Sequence, residues 1–583
     1  MTEERIIPEV KSVAEFRISI GGEEIPRTIE VVAVHVSKVI NKISMARFII
    51  RDGDASKSDF VLSNGELFIP GKEVEITAGS PDQQESIFKG VVIKQSISIR
   101  GNKSSQLIID CRHKAVKSTI VRRSNCYHDK TDDAAISEAL QASGLSTEDF
   151  DLEATNVSHS EMVQYNCTDW DFAVSRAEMN GKIILTNDEK ITMKAPGVTA
   201  SGTLSLLFGA TVIELDAEMD SRTQYKAVKA SSWDMATQEL AEANAEEPDA
   251  PEWGNLDGST LSDAMAQEEY LLQHGGALIA EEIQSWADAQ LLKSRLARIR
   301  GRVKFEGISA IHAGDVLELH GLGDRFNGNA FVTGVRHDYT TTEGWKTQAQ
   351  FGNTPDWFIE QPDVVAPKAG GLLPGAIGLH TGIVTDNEDP EGEFRVRVKI
   401  PFINPDDDGV WARVALTDAG NERGMYFRPE VDDEVLLGFL YDDPRQPVIL
   451  GMLHSSALPS PLTPSNDNHQ KGYTSREKLV LLFDDEKKEV KIETPGGNKV
   501  TISDDKKGIV MEDQNGNSIT MNDKGIVIDS ASAIEIKAAK DLKLTGLTAS
   551  MSGDSSMEIK SSGSGTVESS ANLTIKGAMV NIN

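Results

Sequence analysis

Residues 496–513 carry the sequence GGNKVTISDDKKGIVMED, and the same style continues with NGNSITMNDKGIVIDS at 515–530 and AIEIKAAKDLKLTG at 533–546. Short apolar-polar-apolar triplets recur there, separated by Gly, Asn, Asp, Ser or Lys. Such alternation predicts short strands with one buried face. Repetition at a short period, with turn residues in between, is typical of a β-solenoid. The triplets are Val500–Ile502, Ile519–Met521, Ile526–Ile528, Ile534–Ile536 and Leu542–Leu544.

Each triplet offers only two inward side chains, and large aromatic residues are almost absent from the stretch. One chain therefore lacks the side-chain volume to fill a β-helix core, whereas three copies around a common axis could each close one side of a prism. We expect an intertwined trimeric β-helix, or β-prism, at 475–583. The alternatives are a single-chain solenoid and a low-complexity linker, but linkers do not keep apolar triplets in register.

This C-terminal needle supplies two sets of candidate site residues. The trimer axis is predicted to be lined by Ile526, Ile528, Ile534, Ile536, Leu542, Leu544, Ile559, Leu573 and Ile575. The blunt end, a sheet stack with open last rungs, is predicted to be a docking surface formed by Met579, Val580, Asn581, Ile582 and Asn583. His and Cys are absent from residue 470 onward, so we expect no transition metal at the tip and no cofactor.

The composition limits the possible function classes. The chain has 583 residues, enough for three or four domains, and a formal net charge of −32. An acidic surface repels phosphate backbones and anionic lipids, so nucleic-acid and membrane-surface binding are not expected. No apolar run approaches the length of a membrane span, and the N-terminal residues show no signal-peptide pattern. We therefore expect assembly in the cytoplasm and, if the protein is exported, a route without a cleaved signal.

The three cysteines do not suggest a disulfide framework. Two Cys-x-His pairs, Cys111/His113 and Cys126/His128, could in principle form a tetrahedral zinc site because positions i and i+2 share one face of a strand. The usual zinc spacings are different. We therefore expect packed thiols and exposed histidines, and whether the four residues bind a metal stays open.

The region before residue 365 is predicted to be mainly β with a few helices. Strand patterns with turn signals such as Gly21–Gly22 suggest a barrel or sandwich at 12–123, and later strand patterns suggest a second, interleaved barrel. The acidic, Ala-rich stretch 236–259 is predicted to be a long exposed loop. Helices are predicted at Asp132–Ala142, Asp169–Asn180 and Ile279–Arg300.

Two Pro-rich linkers, 366–375 and 456–474, separate a compact block at 376–455. Its five strand patterns suit a small OB-type barrel. From Leu372 to Ser455 the chain has 16 Asp or Glu against 7 Lys or Arg, which weighs against single-strand nucleic-acid binding. The large aromatic side chains are therefore predicted to pack in the core or between subunits, and they are Trp411, Phe394 and Phe402.

The sequence contains no GxSxG, HExxH, Walker or GxGxxG motif beside the strand, turn or helix that such a motif requires. The acidic run Asp406–Asp408 could bind a divalent cation, but a solvated loop is the expectation. Carboxylates are abundant throughout, so counting them does not exclude a paired-carboxylate glycosidase site, and nothing in the sequence favours one.

The order of these parts resembles the VgrG family of trimeric spikes from type VI secretion systems, and it is similar to fused phage hub and needle proteins. The resemblance rests on VQYNCTDWDFAVSRAEMNGK (163–182) and on AGDVLELHGLGDRFNGNAFVTGVRHDY (313–339). It rests further on FRPEVDDEVLLGFLYDDPRQPVILGML (427–453) and on the needle repeats. Many relatives have Gly-Asp where this chain has Asp432–Asp433, so that turn is expected to differ.

The resemblance implies a phage-hub-like base at 1–365 and a non-enzymatic, force-bearing spike in a contractile injection system. It implies a homotrimer that joins an Hcp-like inner tube and the baseplate to a PAAR-repeat tip. Effector cargo would ride on the spike, which would be exported when the sheath contracts and would contact a membrane only on puncture. The residues do not distinguish a type VI system from an extracellular or phage-like particle.

Two other function classes stay open at this stage. A cell-wall or glycan hydrolase of the tailspike type would have a β-helical stem and depend on one or two carboxylates. An adhesin would use the needle as a stalk and carry a receptor-binding head at its far end.

Overall fold

The computed structural model describes residues 15–80, 83–101, 103–249, 253–266 and 268–582. The chain is mainly β and divides into two compact units, Met1–Ile377 with Tyr441–Pro444 and Gly378–Leu440 with Arg445–Asn583. None of the helices in the described ranges is long and apolar enough to cross a membrane.

The described residues of the first unit form twenty-one strands and five α-helices. The strands are β1 Glu15–Ile20, β2 Glu23–Glu24, β3 Val31–Val39, β4 Met45–Arg51, β5 Glu73–Ser80, β6 Gln83–Arg100, β7 Lys103–Arg112, β8 Arg122–Thr131, β9 Phe150–Leu152, β10 Ser158–Thr168, β11 Ile183–Asn187, β12 Lys190–Lys194, β13 Leu204–Leu207, β14 Val212–Met219, β15 Ala227–Asp234, β16 Glu239–Asn244, β17 Glu269–His274, β18 Ile299–Glu306, β19 Val316–His320, β20 Gly328–Thr340 and β21 Gly344–Phe351. The helices are α1 Val61–Asn64, α2 Asp132–Ala142, α3 Asp169–Met179, α4 Gly258–Met265 and α5 Ala280–Leu296.

Two groups of strands that are far apart in the sequence share one large sheet. Strands β1–β7 form one half, strands β13, β14 and β18–β21 form the other, and antiparallel pairing of β20 with β3 joins them. Each half has its own core, built around residues such as Phe48 and Phe88 in one and Phe305 and Phe351 in the other. Strands from both β regions thus lie in one sheet, and the division of 1–365 into two barrels stays a prediction.

All three predicted helices are present, with α3 one residue shorter at its end and α5 shorter at both ends. α2 has the predicted bounds, and the Thr168 hydroxyl accepts the backbone N–H of Asp171 at 3.1 Å to cap α3. The third predicted helix, α5, ends at Leu296 because Ile299 already pairs with Met219 as the first residue of β18. The apolar stripe that continued past residue 296 thus spans a helix and the strand that follows it.

The prediction of one long loop at 236–259 is wrong. Residues Glu239–Asn244 form β16, which pairs along its length with β15, and α4 begins at Gly258. Ala241 and Ala243 lie on the face of β16 that packs under α5. The strand was hidden because its inward side chains are small and its flanks are acidic.

The second unit begins with the predicted OB-type barrel. Strands β22 His380–Asp386, β23 Val396–Lys399, β24 Val410–Val414, β27 Glu434–Phe439 and β28 Pro447–Met452 close in the order β22-β23-β24-β28-β27, and the small hairpin β25 Ala419–Gly420 and β26 Arg423–Gly424 projects between β24 and β27. The core is aliphatic, with Val384, Val398 and Leu437 fully buried. Phe394 and Phe402 are exposed, so they do not belong to the core, and Trp411 is half-buried.

Candidate trimerisation surface and tip

After the barrel, seven short strands form a regular antiparallel meander, here called the needle sheet. They are β29 Gln470–Thr474, β30 Val480–Asp484, β31 Glu489–Glu493, β32 Lys499–Ser503, β33 Gly508–Glu512, β34 Ser518–Asn522 and β35 Gly525–Asp529. Each strand has five residues and pairs in full register with the next. A one-residue slip in such a strand would turn every side chain to the other face, so the turns must hold the register.

The turns are built from the residues that left the triplets separated in the sequence. Between β33 and β34, the Asp513 carboxylate accepts the backbone N–H of Asn515 at 2.8 Å and that of Asn517 at 2.9 Å. The Asn517 side-chain amide also donates to it and lowers the pKa of Asp513 to about 2. Gly516 adopts a φ of 88° in this turn, which is the left-handed region that glycine enters without a steric cost.

One face of the needle sheet consists of two columns of apolar side chains. The register places Leu481, Ile492, Val500, Met511, Ile519 and Ile528 side by side across six strands, and it places Phe483, Val490, Ile502, Ile509, Met521 and Ile526 side by side in the parallel column. Because successive strand residues alternate between faces, both columns share one face. We call it the apolar face.

The opposite face of the needle sheet mixes polar and apolar side chains, with Leu482, Val510 and Val527 in its central column, and we call it the mixed face. Between the two apolar columns, but on the other side, stand Lys491, Thr501 and Thr520. The Lys499 ammonium lies 2.6 Å from the Glu512 carboxylate directly across the strand pair. In one chain the apolar face is the more exposed of the two, since Thr501 is buried while Ile502 beside it is exposed.

Two of the predicted axial residues, Ile526 and Ile528, lie on the apolar face at its last strand. The start of this face, at Leu481, Phe483 and Val490, was not among the predicted axial residues. A usable signal existed, because Val490 and Ile492 flank a lysine in the same apolar-polar-apolar pattern.

Residues 530–582 differ from the expected short strands. Within this described range no residue is assigned to a strand, although the segment comes directly after β35 in the chain. The physical reason is that a single copy offers these residues no neighbouring strand to pair with, and backbone N–H and C=O groups form a ladder only with a partner. The other axial candidates are all exposed there: Ile534, Ile536, Leu542, Leu544, Ile559, Leu573 and Ile575.

The tip candidates lie at the end of this segment. Met579, Val580 and Ile582 are exposed apolar side chains, and Asn581 is exposed between them. Asn583 lies outside the described residues. The placement of all five at a docking surface stays a prediction.

The two Cys-x-His pairs do not come together. Cys111 is buried in the sheet of β4, β6 and β7, whereas Cys126 is exposed on β8. His113 is buried, not exposed as expected, and its Nδ1 accepts the backbone N–H of Ala115 at 3.1 Å. Burial away from water lowers the pKa of His113 to about 4. Across the described ranges, no cluster of His, Cys, Asp and Glu has the arrangement of a metal site.

The buried carboxylates of the first unit are held in structural pairs. Asp132 accepts Nε of Arg176 at 2.6 Å, and Glu178 accepts the Lys293 ammonium at 2.6 Å and the backbone N–H of Phe358 at 2.7 Å. Oxygens already engaged by cations and backbone donors are poorly placed to act as a free acid and base pair.

Three family models match the chain. Residues 10–341 match the Alg8 N-terminal domain, residues 380–454 match the type VI secretion system/phage-baseplate injector OB domain, and residues 489–583 match the phage baseplate V C-terminal trimerisation domain. The third match covers the needle sheet from β31 onward and everything after it.

Two curated relatives are type VI secretion system spike proteins of Pseudomonas aeruginosa. VgrG4b is 34% identical over 123 residues, which is 19% of this chain and 14% of that protein. VgrG5 is 36% identical over 94 residues, which is 14% of this chain and 12% of that protein. The matched segments thus span less than one sixth of the length of either relative.

Solved structures with a similar course of the chain include a tail protein from Neisseria meningitidis. It is 14% identical, with a TM-score of 0.44, and the match covers 60% of this chain and 99% of that one. A type VI secretion system component of E. coli is 13% identical, with a TM-score of 0.38, and the match covers 75% of this chain and 99% of that one.

Proposed function

The chain belongs to the family described as the Alg8 N-terminal domain, and we propose that this VgrG-like chain works as the trimeric puncturing spike of a contractile injection machine. The observation that carries the proposal is the apolar face, twelve apolar side chains in two columns, of which seven are exposed in one copy and five are half-buried. A contiguous apolar surface of this size is typical of an interface. The match of 489–583 to a trimerisation domain supports three copies as the assembly.

Burial of the two columns in a trimer would give each copy a dry inner side and leave the mixed face outside. Three sheets would then form a prism. The exposed apolar side chains after residue 530, such as Ile534 and Ile536, would continue its axis. Such a rod resists force because it can shear only if many strand pairings break at once. In this proposal the base comprises 1–365 and the barrel 376–455, with a linker at 366–375. The predicted boundary between the linker 456–474 and the needle 475–583 moves to residue 470, because β29 Gln470–Thr474 already pairs with β30 in the needle sheet.

We further propose the partners that a spike of this kind requires. An Hcp-like tube and the baseplate would hold the base, a PAAR-repeat protein would sit on the tip residues, and effector cargo would travel with the assembly. The protein would assemble in the cytoplasm and leave the cell when the sheath contracts. The printed descriptions of the matching OB domain and of the two Pseudomonas relatives support the type VI or phage-baseplate setting.

The same proposal assigns the chain no enzymatic role of its own. Its support is that buried carboxylates such as Asp132 and Glu178 are already paired with Arg176 and Lys293. Nothing in the comparisons favours the glycan-hydrolase alternative.

The decisive measurement is the solution mass of the full chain by light scattering, beside a version that ends at Ser460. The proposal expects the full chain near three times 63.3 kDa and the shortened chain as a monomer or a weak assembly. A monomeric full chain would overturn it, because the apolar face would then have no second copy to cover it.

A further inference from the structure

Four exposed apolar side chains gather at one end of the OB barrel. Phe394 belongs to the loop between β22 and β23, and Met425, Tyr426 and Phe427 belong to the loop between β24 and β27. Both loops lie at the same end of the barrel, since Asp386 at the end of β22 pairs with Arg397 at the start of β23, and β22 also pairs antiparallel with β27, Ile383 with Glu434. We call these four residues the barrel ridge.

The barrel ridge is continuous with the apolar face of the needle sheet. The Phe427 ring lies 4.9 Å from the ring of Tyr473 in β29, measured between ring centroids. Tyr473 pairs with Leu481 and so heads the first apolar column. The Arg476 guanidinium, 3.0 Å from the Glu430 carboxylate, fastens the same junction from the side. The first apolar column therefore meets the barrel ridge at Phe427.

The loop that carries Phe394 is rigid by construction. The Asp389 carboxylate accepts the backbone N–H groups of Glu393 and Arg395, both at 3.1 Å, and Nε of Arg395 at 2.9 Å. Arg428, in the loop between β24 and β27, connects the two loops: its guanidinium donates to the carbonyl of Phe394 at 3.0 Å and to that of Arg395 at 2.7 Å.

Phe394 itself is held in an unfavourable conformation. Its φ is 58°, in the left-handed region that bulky residues avoid, and 77% of its side chain is exposed. Backbone strain of this kind persists where the surrounding structure enforces it, and it is concentrated at binding and switch sites. A preorganised aromatic side chain that presents most of its surface to solvent has the character of an interface anchor.

We propose that the barrel ridge is part of the trimer interface, so that Phe394 and Tyr426 of each copy pack against a neighbouring copy beside the needle sheet. The inference rests on the proposed trimer and adds a second, barrel-level contact to it. A second copy is the favoured occupant because the ridge extends the very surface that three copies must share. Contact between copies at the barrel ridge would also fix the three barrels relative to the needle and keep them from separating under force.

The barrel offers a matched control at its other end. Phe402 follows β23 and is 92% exposed, more than Phe394, but it lies beside the acidic run Asp406–Asp408 and away from the needle junction. Exposure alone would treat the two phenylalanines alike, whereas the proposal protects only one of them.

The first test is hydroxyl-radical footprinting of the full-length trimer, with residue-level readout by mass spectrometry and normalisation to the chain in denaturant. Phe394, Met425 and Tyr426 should be oxidised at least about fivefold more slowly than Phe402, because contact with a neighbouring copy excludes the radical. If light scattering shows a trimer and Phe394 is oxidised as fast as Phe402, the barrel-ridge proposal is wrong and the trimeric spike stands. If no trimer forms, the proposed function itself fails.

The second test uses the sign of a substitution. Phe394→Gly relieves the left-handed backbone, so a purely local role predicts a more stable protein. The interface role predicts the opposite for the assembly, a trimer that dissociates in guanidinium about tenfold faster, and Tyr426→Ser should act the same way. Phe402→Ala should leave that rate unchanged. An unchanged or slower rate for both ridge variants would overturn the proposal.

Discussion

Val527 and Ile528 are neighbours in β35 and have nearly equal exposure in one chain, 59% and 56%, yet they stand on opposite faces of the needle sheet. Ile528 ends the first apolar column, where it pairs with Ile519, while Val527 pairs with Thr520 on the mixed face. The pair therefore separates exposure from position in the proposed assembly.

Ile528→Asp is expected to abolish the trimer, because three carboxylates would be buried at one level of the axis at a cost of several kcal/mol each. Val527→Asp, with the same charge one residue away, should leave the trimer mass and melting temperature almost unchanged. Light scattering and thermal unfolding give both answers. Equal behaviour of the two variants would contradict the assignment of the apolar face.

The second prediction concerns the segment after residue 530. Ile534→Asp and Leu544→Asp should disrupt trimer assembly for the same electrostatic reason, although these side chains lie in no strand of a single chain. Lys543→Asp is the matched control, since its neighbour Leu544 is the predicted axial residue. A stable trimer with Leu544→Asp would show that the axis ends before this point.

The third prediction concerns the tip. Deletion of residues 578–583 should leave a folded trimer of slightly lower mass but abolish binding of a PAAR-repeat protein, because the exposed Met579, Val580 and Ile582 would be gone. Pull-down with the tip protein, alongside light scattering, measures both. Retained binding would place the docking surface elsewhere on the needle.

The fourth prediction is a pH dependence that comes from His113. Its folded-state pKa of about 4 lies below the ordinary value of 6.5, so between those two pH values the unfolded chain binds a proton that the folded chain does not. Its contribution to stability is complete above pH 6.5 and is lost as the pH falls to 4, by up to about 3 kcal/mol.

His113→Asn should therefore flatten the loss of stability between pH 7 and pH 4.5, since an amide oxygen can still accept the backbone N–H of Ala115. Thermal unfolding of both proteins at the two pH values gives the difference. His337, which burial also keeps neutral with a pKa of about 3, is unchanged and contributes equally to both. Parallel pH curves for the two proteins would count against the assignment.

The fifth prediction concerns the turn where relatives carry Gly-Asp. Asp432 has a φ of 74°, and its backbone N–H donates to the carbonyl of Val384 at 2.9 Å. Asp432→Gly should stabilise the barrel by about 0.5 kcal/mol because glycine enters this region without strain. Asp433→Gly should destabilise it, since the Asp433 carboxylate accepts the backbone N–H of Glu430 at 2.8 Å. Hydrogen exchange of the barrel amides reports both effects.

The apolar face shows what periodicity can deliver. The alternation at Val500–Ile502 correctly placed two apolar residues on one face, and the same rule extended to Ile526–Ile528. The continuous run Leu481-Leu482-Phe483 hid the same alternation, because an apolar residue on the outer face looks no different in the sequence from one on the inner face. Pairing partners, not composition, decide that question.

Other features depended on contacts that no local pattern contains. β16 exists because β15 and α5 cover Ala241 and Ala243, and His113 is buried where its backbone N–H donates at 2.9 Å to the carbonyl of Ser44, which is distant in the sequence. Phe394 and Phe402 are phenylalanines of the same barrel, and the sequence offers no reason to treat them differently. Only the positions of their loops in the structure distinguish an interface candidate from an ordinary exposed residue. The trimer itself is a property of three chains and was inferred from what one chain could not fill.

The uniform hairpins of the needle sheet determine the steps in which its length can change during evolution. Neighbouring strands lie about 4.8 Å apart, so the seven strands measure about 29 Å across, and a duplicated hairpin would add about 9.6 Å. An insertion of two strands restores the original chain direction and returns every later residue to its own face. The length of the needle sheet can therefore change by whole hairpins, without changes to the residues at either end.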